Sequence, residues 1–135
     1  MNASVRPFVD TNVLLYLLSP DAAKADRAET LLAGRIVISV QVLNEFANVA
    51  RRKFGLEWSE LAQALLDIRR FADVRPLAID THDRGLALAE RYQLNLYDAM
   101  IAAAALEAGC TTLASEDFQS GQRLDGRLTV RNPFA

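Results

Sequence analysis

Val5-Arg6-Pro7-Phe8-Val9-Asp10-Thr11-Asn12-Val13-Leu14-Leu15-Tyr16-Leu17-Leu18 decides how this chain is read. Its first half, Val5 to Val9, is short, apolar and β-branched at both ends, which predicts a buried strand. Asp10, Thr11 and Asn12 are then candidate N-caps, and Val13 to Leu18 is predicted to continue as a helix. A strand that turns straight into a helix through an acidic residue is the opening unit of an α/β domain.

The same alternation continues along the chain. Asp21 is placed to cap a helix over 22–33, with Gly34 at its end. Ile36-Val37-Ile38 reads as a strand, and Ser39 is expected to cap a helix over 40–54 that Gly55 closes. An amphipathic helix is predicted over 59–72 and a strand over 74–79, where Pro76 marks an edge or irregular position. Asp80 and Thr81 are the candidate caps of a helix reaching Tyr92. Tyr97 to Ala108 reads as a helix stopped by Gly109, and strands follow at 111–114 and 128–130. The expectation is a single domain over residues 1–135: a three-layer α/β/α sandwich around a mainly parallel sheet.

Four carboxylates stand where these elements begin or end. Asp10 follows the first strand, and Glu45 lies in the second turn of a helix that follows a strand. Asp98 opens the alanine-rich helix, and Asp117 follows a late strand in Ser115-Glu116-Asp117-Phe118. Each has an ordinary explanation alone. Asp10 fits a helix cap, Asp98 complements a helix dipole, Glu45 fits a solvated stripe with Gln41, Asn48 and Arg52, and Asp117 fits a turn. In an open parallel sheet, ligands bind outside the carboxyl ends of the strands, and all four acids are predicted at that edge. Gathered there they would repel one another and call for a divalent cation held by oxygen ligands, which suggests phosphate chemistry.

Charge and composition narrow the classes. The chain has 135 residues and a formal net charge of −2. Without the four acids the remainder carries +2. All fifteen basic residues except Lys24 and Lys53 are arginine, a planar fork suited to phosphate oxygens, although compositional bias explains the preference equally well. Arg51-Arg52-Lys53 is the densest basic cluster, and it also fits a solvated helix end. The run Val13 to Leu18 is too short to span a bilayer, and the N-terminal residues carry no signal-peptide core, so no membrane association and a cytoplasmic location are expected. Cys110, the one cysteine, reads as a small buried side chain in a reducing compartment. His82, the one histidine, lies beside Asp80 and Asp83 and reads as a surface residue, so no histidine base is expected at the acids. Metal-activated water is then the economical route to phosphate chemistry.

Asp10-Thr11-Asn12 after an apolar strand, Glu45 in the next unit and Tyr97-Asp98-Ala99 before Ile101-Ala102-Ala103-Ala104 form an ordered set. With Ser115-x-Asp117-Phe118 and the tail Arg131-Asn132-Pro133-Phe134, it resembles the PIN-domain ribonucleases, and among them the toxin subunits of VapBC-type toxin–antitoxin pairs. The resemblance spans essentially the whole chain. It implies that Asp10 and Asp98 are the main ligands of Mg²⁺ or Mn²⁺, that Glu45 completes the site directly or through water, and that Asp117 is the most variable member. Thr11, Asn12 and Ser115 would support these acids by hydrogen bonding. Glu116 is an extra acid, and the Ser115-x-Asp117 spacing favours Asp117 as the inward one. The resemblance further implies hydrolysis of single-stranded or loop RNA to 5′-phosphate and 3′-hydroxyl ends, an antitoxin partner, and a homodimer or a larger heteromeric assembly. Apolar positions on the helix over 13–18, and Leu61, Leu65, Leu66 and Ile68, offer surface for a partner helix once the core is filled.

Two other classes fit an aspartate at a first strand end. A Mg²⁺-dependent phosphatase of the haloacid-dehalogenase type needs a second aspartate two residues on, where Asn12 stands. A receiver-type phosphoacceptor needs a late lysine, and Lys24 and Lys53 are both early. The third alternative is a non-catalytic RNA- or protein-binding module, against which the presence of all four acids argues.

Overall fold

A computed structural model describes residues 6–134. The order of elements is β1 (Phe8–Val9), α1 (Thr11–Leu15), α2 (Ala22–Ala33), β2 (Ile36–Ser39), α3 (Val40–Arg52), α4 (Trp58–Phe71), β3 (Ala72–Arg75), α5 (Ile79–Tyr92), α6 (Leu96–Glu107), β4 (Thr112–Ala114), β5 (Arg123–Leu124) and β6 (Leu128–Arg131). The six strands form one sheet in the order β3-β2-β1-β4-β6-β5. All pairings are parallel except β5 with β6. The layers and the mainly parallel sheet are those expected from the sequence.

The strand order fixes where a ligand can sit. From β1 the chain moves outward to β2 and then β3 on one side, and it returns beyond β1 to β4 on the other. Right-handed crossovers therefore place α1–α4 on one face and α5–α6 on the other. The crevice lies where the direction of winding reverses, between the carboxyl ends of β1 and β4.

β1 and β2 are buried along their whole length, as strands covered on both faces must be. α6 buries Ala99, Ala102, Ala103, Ala104 and Ala105 together with Ile101 and Leu106. Alanine on so much of its circumference lets the helix lie close to the centre of the sheet, where it meets β2, β4 and β6. The core joins this helix to Phe8, Val13, Leu14, Ile38, Phe46 and Leu113. Cys110 is buried, and its apolar surroundings push the thiol's pKa up to about 11.

Several boundaries differ from the sequence expectation for physical reasons. Val5 lies outside the described residues, and β1 is Phe8–Val9. The first helix starts earlier, at Thr11, and tightens to a 3-10 turn over Tyr16–Leu18. The strand expected over 74–79 is instead β3 at 72–75, the edge of the sheet. Pro76 follows it directly, so the ladder ends where the proline removes a donor. The helix expected to be capped by Asp80 or Thr81 starts at Ile79, and Thr81 reaches back to accept the Ala78 N–H at 3.2 Å. Ser39 occupies the N-cap position of α3, but its buried hydroxyl makes no capping bond. α4 begins at Trp58, with a reciprocal cap between Glu57 and Glu60. β5 has no counterpart in the sequence reading.

Candidate active site

Asp10 follows β1, and its side chain caps α1 by accepting the Thr11 N–H at 2.7 Å. It is 3 % exposed. Its backbone N–H donates to the Ala114 carbonyl at 3.0 Å, which ties the end of β1 to the end of β4. Across this seam the Ser115 hydroxyl donates to Asp10 Oδ2 at 2.7 Å and accepts the Asp117 N–H at 3.0 Å. One buried serine therefore orients two acids from two strands. The cap and the cluster are two roles of the same aspartate.

Asp98 arrives from the opposite helical layer, in the first turn of α6. Asn95 holds it twice. The Asn95 side-chain oxygen accepts the Asp98 N–H at 2.9 Å, and Asn95 Nδ2 donates to Asp98 Oδ2 at 2.8 Å. The result is that one carboxylate oxygen from each of Asp10, Asp98 and Asp117 lies within 4.8 Å of the other two. Glu45 stands beside this trio rather than within it. Its Oε1 accepts the Thr11 hydroxyl at 2.8 Å, and its charge acts on Asp98.

The electrostatics follow from the crowding. Burial pushes Asp10 up to about 7, against the lowering effect of the Ser115 and Thr11 hydrogen bonds, and the charges of Asp117 and Asp98 add to the rise. Burial, and then the Asp117 charge, also raises the pKa of Asp98. Without a counter-charge, ionisation of Asp10 and Asp98 is disfavoured. Its donors are all oxygen, and they differ in burial: Asp10 is buried, Asp98 half-buried and Asp117 exposed. A hard divalent cation that keeps some of its water fits such a set of donors.

The supporting positions are unequal. Thr11 and Ser115 each bond a carboxylate. Asn12 instead accepts the Glu116 N–H at 3.4 Å through its side-chain oxygen, and its Nδ2 is buried without a partner. Glu116 turns away from the trio toward Tyr16, whose phenol pKa is raised chiefly by the hydrogen bond to Glu116. Asn95 was not singled out in the sequence; an asparagine three residues before Asp98, at the start of an apolar helix, is the signal that marks it. His82 is exposed, as expected; it is no member of the trio, but it lines the cavity that Glu45 also lines.

A doubly wound sheet of this order, with carboxylates converging at its switch point, defines the class of protein. The chain belongs to the PIN domain family, whose model matches residues 8–122. Among solved structures, a toxin–antitoxin complex from Klebsiella pneumoniae shares the fold with a TM-score of 0.72 at 22% identity, over 94% of this chain and 97% of that one. VapC20 of Mycobacterium tuberculosis, described as a toxin that cleaves the sarcin-ricin loop, has a TM-score of 0.66 at 22% identity, over 82% of this chain and 88% of that one. VapBC2 of Rickettsia felis, bound to a fragment of promoter DNA, has a TM-score of 0.64 at 22% identity, over 95% of this chain and 98% of that one. No curated protein matches the chain.

Proposed function

We propose that this PIN domain is a divalent-metal-dependent endoribonuclease and the toxin of a toxin–antitoxin pair. One observation carries the catalytic part: three carboxylate oxygens within 4.8 Å of one another at the switch point of the sheet. The toxin part is supported by the neighbours that share the fold, which include a loop-cleaving toxin and toxin–antitoxin complexes.

In this reading Asp10 and Asp98 are the principal ligands, Asp117 is a third, and Glu45 acts from the flank. Bound Mg²⁺ or Mn²⁺ would lower the pKa of a coordinated water and offset charge on the scissile phosphate. The chain's own residues prepare that chemistry. Thr11 N–H and Ser115 O–H fix the two oxygens of Asp10, so its orientation costs nothing further when substrate binds. Asn95 holds Asp98 in the same way. Thr11 directs Glu45 by one oxygen and leaves Oε2 without a hydrogen bond among the described residues, available to a water or a proton. Attack by water rather than by the ribose 2′-hydroxyl leaves 5′-phosphate and 3′-hydroxyl ends.

A surface for a partner lies in the α1–α4 layer. Leu17, Leu32, Ala33, Ile68 and Phe71, with Glu29, line a largely apolar cleft of about 350 Å³, and Leu66 and Phe71 are about half exposed. Such a cleft suits an amphipathic helix of the antitoxin, whose basic residues would also neutralise the acids. A homodimer or a larger complex with the antitoxin is part of the same reading. No helix among the described residues is long and apolar enough to cross a membrane.

The test is incubation of purified protein with single-stranded and hairpin RNA in Mg²⁺, Mn²⁺ or EDTA, followed by analysis of the cut ends. Cleavage should require the cation and vanish in Asp10→Asn with the fold retained. Cleavage that persists in EDTA, or cyclic-phosphate ends, would contradict the proposal. Release of inorganic phosphate from a small phosphoester without RNA cleavage would favour the phosphatase alternative.

A further inference from the structure

A cleft of about 750 Å³ lies at the far end of α6 from the acids. Asp98 stands in the first turn of that helix, and Glu107, its last residue, lines the cleft. A rise of about 1.5 Å per residue puts about 14 Å of helix between the two. Thr111, which precedes β4, also lines the cleft, while the carboxyl end of the same strand leads to Asp117. The acids and the cleft therefore occupy opposite edges of the sheet.

The cleft collects arginines from separate parts of the chain. Arg84 comes from α5, Arg123 from β5 and Arg127 from the turn that leads to β6. Arg123 and Arg127 are exposed, and Arg84 is half-buried. Arg123 Nη2 donates to the Gly126 carbonyl at 2.8 Å, which holds that turn. None of the three forms an ion pair among the described residues, whereas Arg6, Arg70, Arg75 and Arg91 each have an aspartate. Arg84 and Arg127 make no side-chain hydrogen bond among the described residues either. The negative charge nearby falls short of theirs. Glu107 contributes one full charge and the end of α6 about half a charge, against three positive ones. A concave surface with such a surplus focuses its field on anions.

Resting on the ribonuclease reading, we propose that this cleft binds backbone phosphates of the RNA substrate several nucleotides away from the cut. The guanidinium fork matches phosphate oxygens, and a phosphodiester strand brings a charge with every nucleotide to a cleft too large for one small ion. A substrate that occupies both places extends well beyond the nucleotides at the acids. The arginines then act on binding and leave the reacting groups untouched. The lining also disfavours a protein contact. Its one large hydrophobic, Leu106, is buried, and none of the exposed large hydrophobics among the described residues lines it. Protein interfaces are centred on an apolar core, which this surface does not offer.

Two measurements on the full chain test this with Arg84→Gln/Arg127→Gln, which removes two side chains that support no neighbour. In the first, a labelled short RNA and one several times longer are titrated in EDTA and followed by fluorescence anisotropy, so that no cleavage is needed. The variant should bind the long RNA about tenfold more weakly at low salt and the short one as the wild type does. Two lost phosphate contacts should also flatten the dependence of log K on log salt by about 1.4, and Arg84→Lys/Arg127→Lys should restore the slope. In the second, cleavage is followed with Mg²⁺ or Mn²⁺. KM for the long RNA should rise in the glutamine variant while kcat is unchanged. Wild-type cleavage with binding, salt slope and KM unchanged in that variant overturns the arginine cleft and leaves the ribonuclease reading intact. Weakened binding of the long RNA without cleavage by the wild type upholds the cleft and removes the ribonuclease reading. Inorganic phosphate or polyglutamate that binds the wild type and not the variant, while RNA binds both alike, assigns the cleft to a free anion or an acidic protein and overturns the proposal.

Discussion

The Ser115 hydroxyl donates to Asp10 Oδ2 at 2.7 Å, between residues 105 positions apart in the chain. The bond joins the ends of two neighbouring parallel strands at the reversal of the sheet's winding, so the topology and the acid cluster meet in one contact. It also opposes the burial that drives Asp10 toward protonation.

Ser115→Ala removes that opposition. Asp10 loses a hydrogen bond to its charged form, and the Asp117 N–H loses its acceptor. The Asp10 pKa should rise further, so the acid limb of the pH–rate profile should move to higher pH. Stability should fall by about 1–3 kcal/mol, because a buried acceptor is left unsatisfied. Denaturant unfolding and a pH series of RNA cleavage check the two parts. An unmoved acid limb would separate Ser115 from the titration of Asp10.

The acids make metal-free stability depend on pH in a definite direction. Asp10 titrates at an ordinary 3.8 when unfolded and at about 7 when folded, so between these values the native state holds more protons than the unfolded one. Its contribution to stability is therefore greatest below the lower value and is lost as pH rises through the upper one. The linkage caps this loss at about 4 kcal/mol. Asp98 acts in the same direction. In EDTA, the fall in stability from pH 5 to pH 8 should be smaller in Asp10→Asn than in the wild type. Parallel curves for the two proteins would remove Asp10 as the source.

A divalent cation should reverse that loss. An ion that binds the folded trio and not the unfolded chain stabilises by about 2.7 kcal/mol at a hundred times its dissociation constant. Mg²⁺ or Mn²⁺ should raise the melting temperature more at pH 8 than at pH 5, where protons compete for Asp10. Asp10→Asn and Asp98→Asn should each lose most of the increment. Thermal unfolding with and without EDTA measures it, and an absence of any shift with either ion would count against the site.

The sequence made the site more legible than the boundaries, for reasons that particular residues show. Asp10 was readable because an apolar pair, Phe8-Val9, ends in a capping residue, and burial on both faces forbids polar interruptions within such a strand. Asp98 was readable because alanines follow it for most of a helix. Asp117 was separable from Glu116 by its spacing from Ser115, which the bond from Asp117 N–H to the serine hydroxyl accounts for. β3 was displaced because Phe71 and Ala72 continue the apolar pattern of α4 while Leu77 and Ile79 imitate a strand beyond Pro76. Only pairing with β2 distinguishes them. β5 is two residues long and exists through its antiparallel partner, so it leaves no local pattern. The cavity beside Glu45 was hidden because Gln41, Asn48 and Glu45 on one helical face look like a solvated stripe until α6 is placed opposite.

Gly85 shows how closely α5 and α6 are set. A Cβ built there would lie 2.5 Å from Met100 Sδ and 2.8 Å from Met100 Cε, so the methionine tip would have to move. That tip is unbranched and adaptable, and it lines the cavity beside the acids, which gives it somewhere to go. Alanine also gains about 1 kcal/mol over glycine in a helix interior, which offsets much of the crowding. Gly85→Ala should therefore change stability by less than about 1 kcal/mol, whereas Gly85→Leu, which overfills the contact, should cost at least about 2 kcal/mol. Gly85→Ala/Met100→Ala should relieve the contact but lose the buried surface of the methionine, and should fall below Gly85→Ala in stability. Urea unfolding of the three variants measures the order. A loss above about 3 kcal/mol in Gly85→Ala would mean that the helices, rather than the methionine, had to yield.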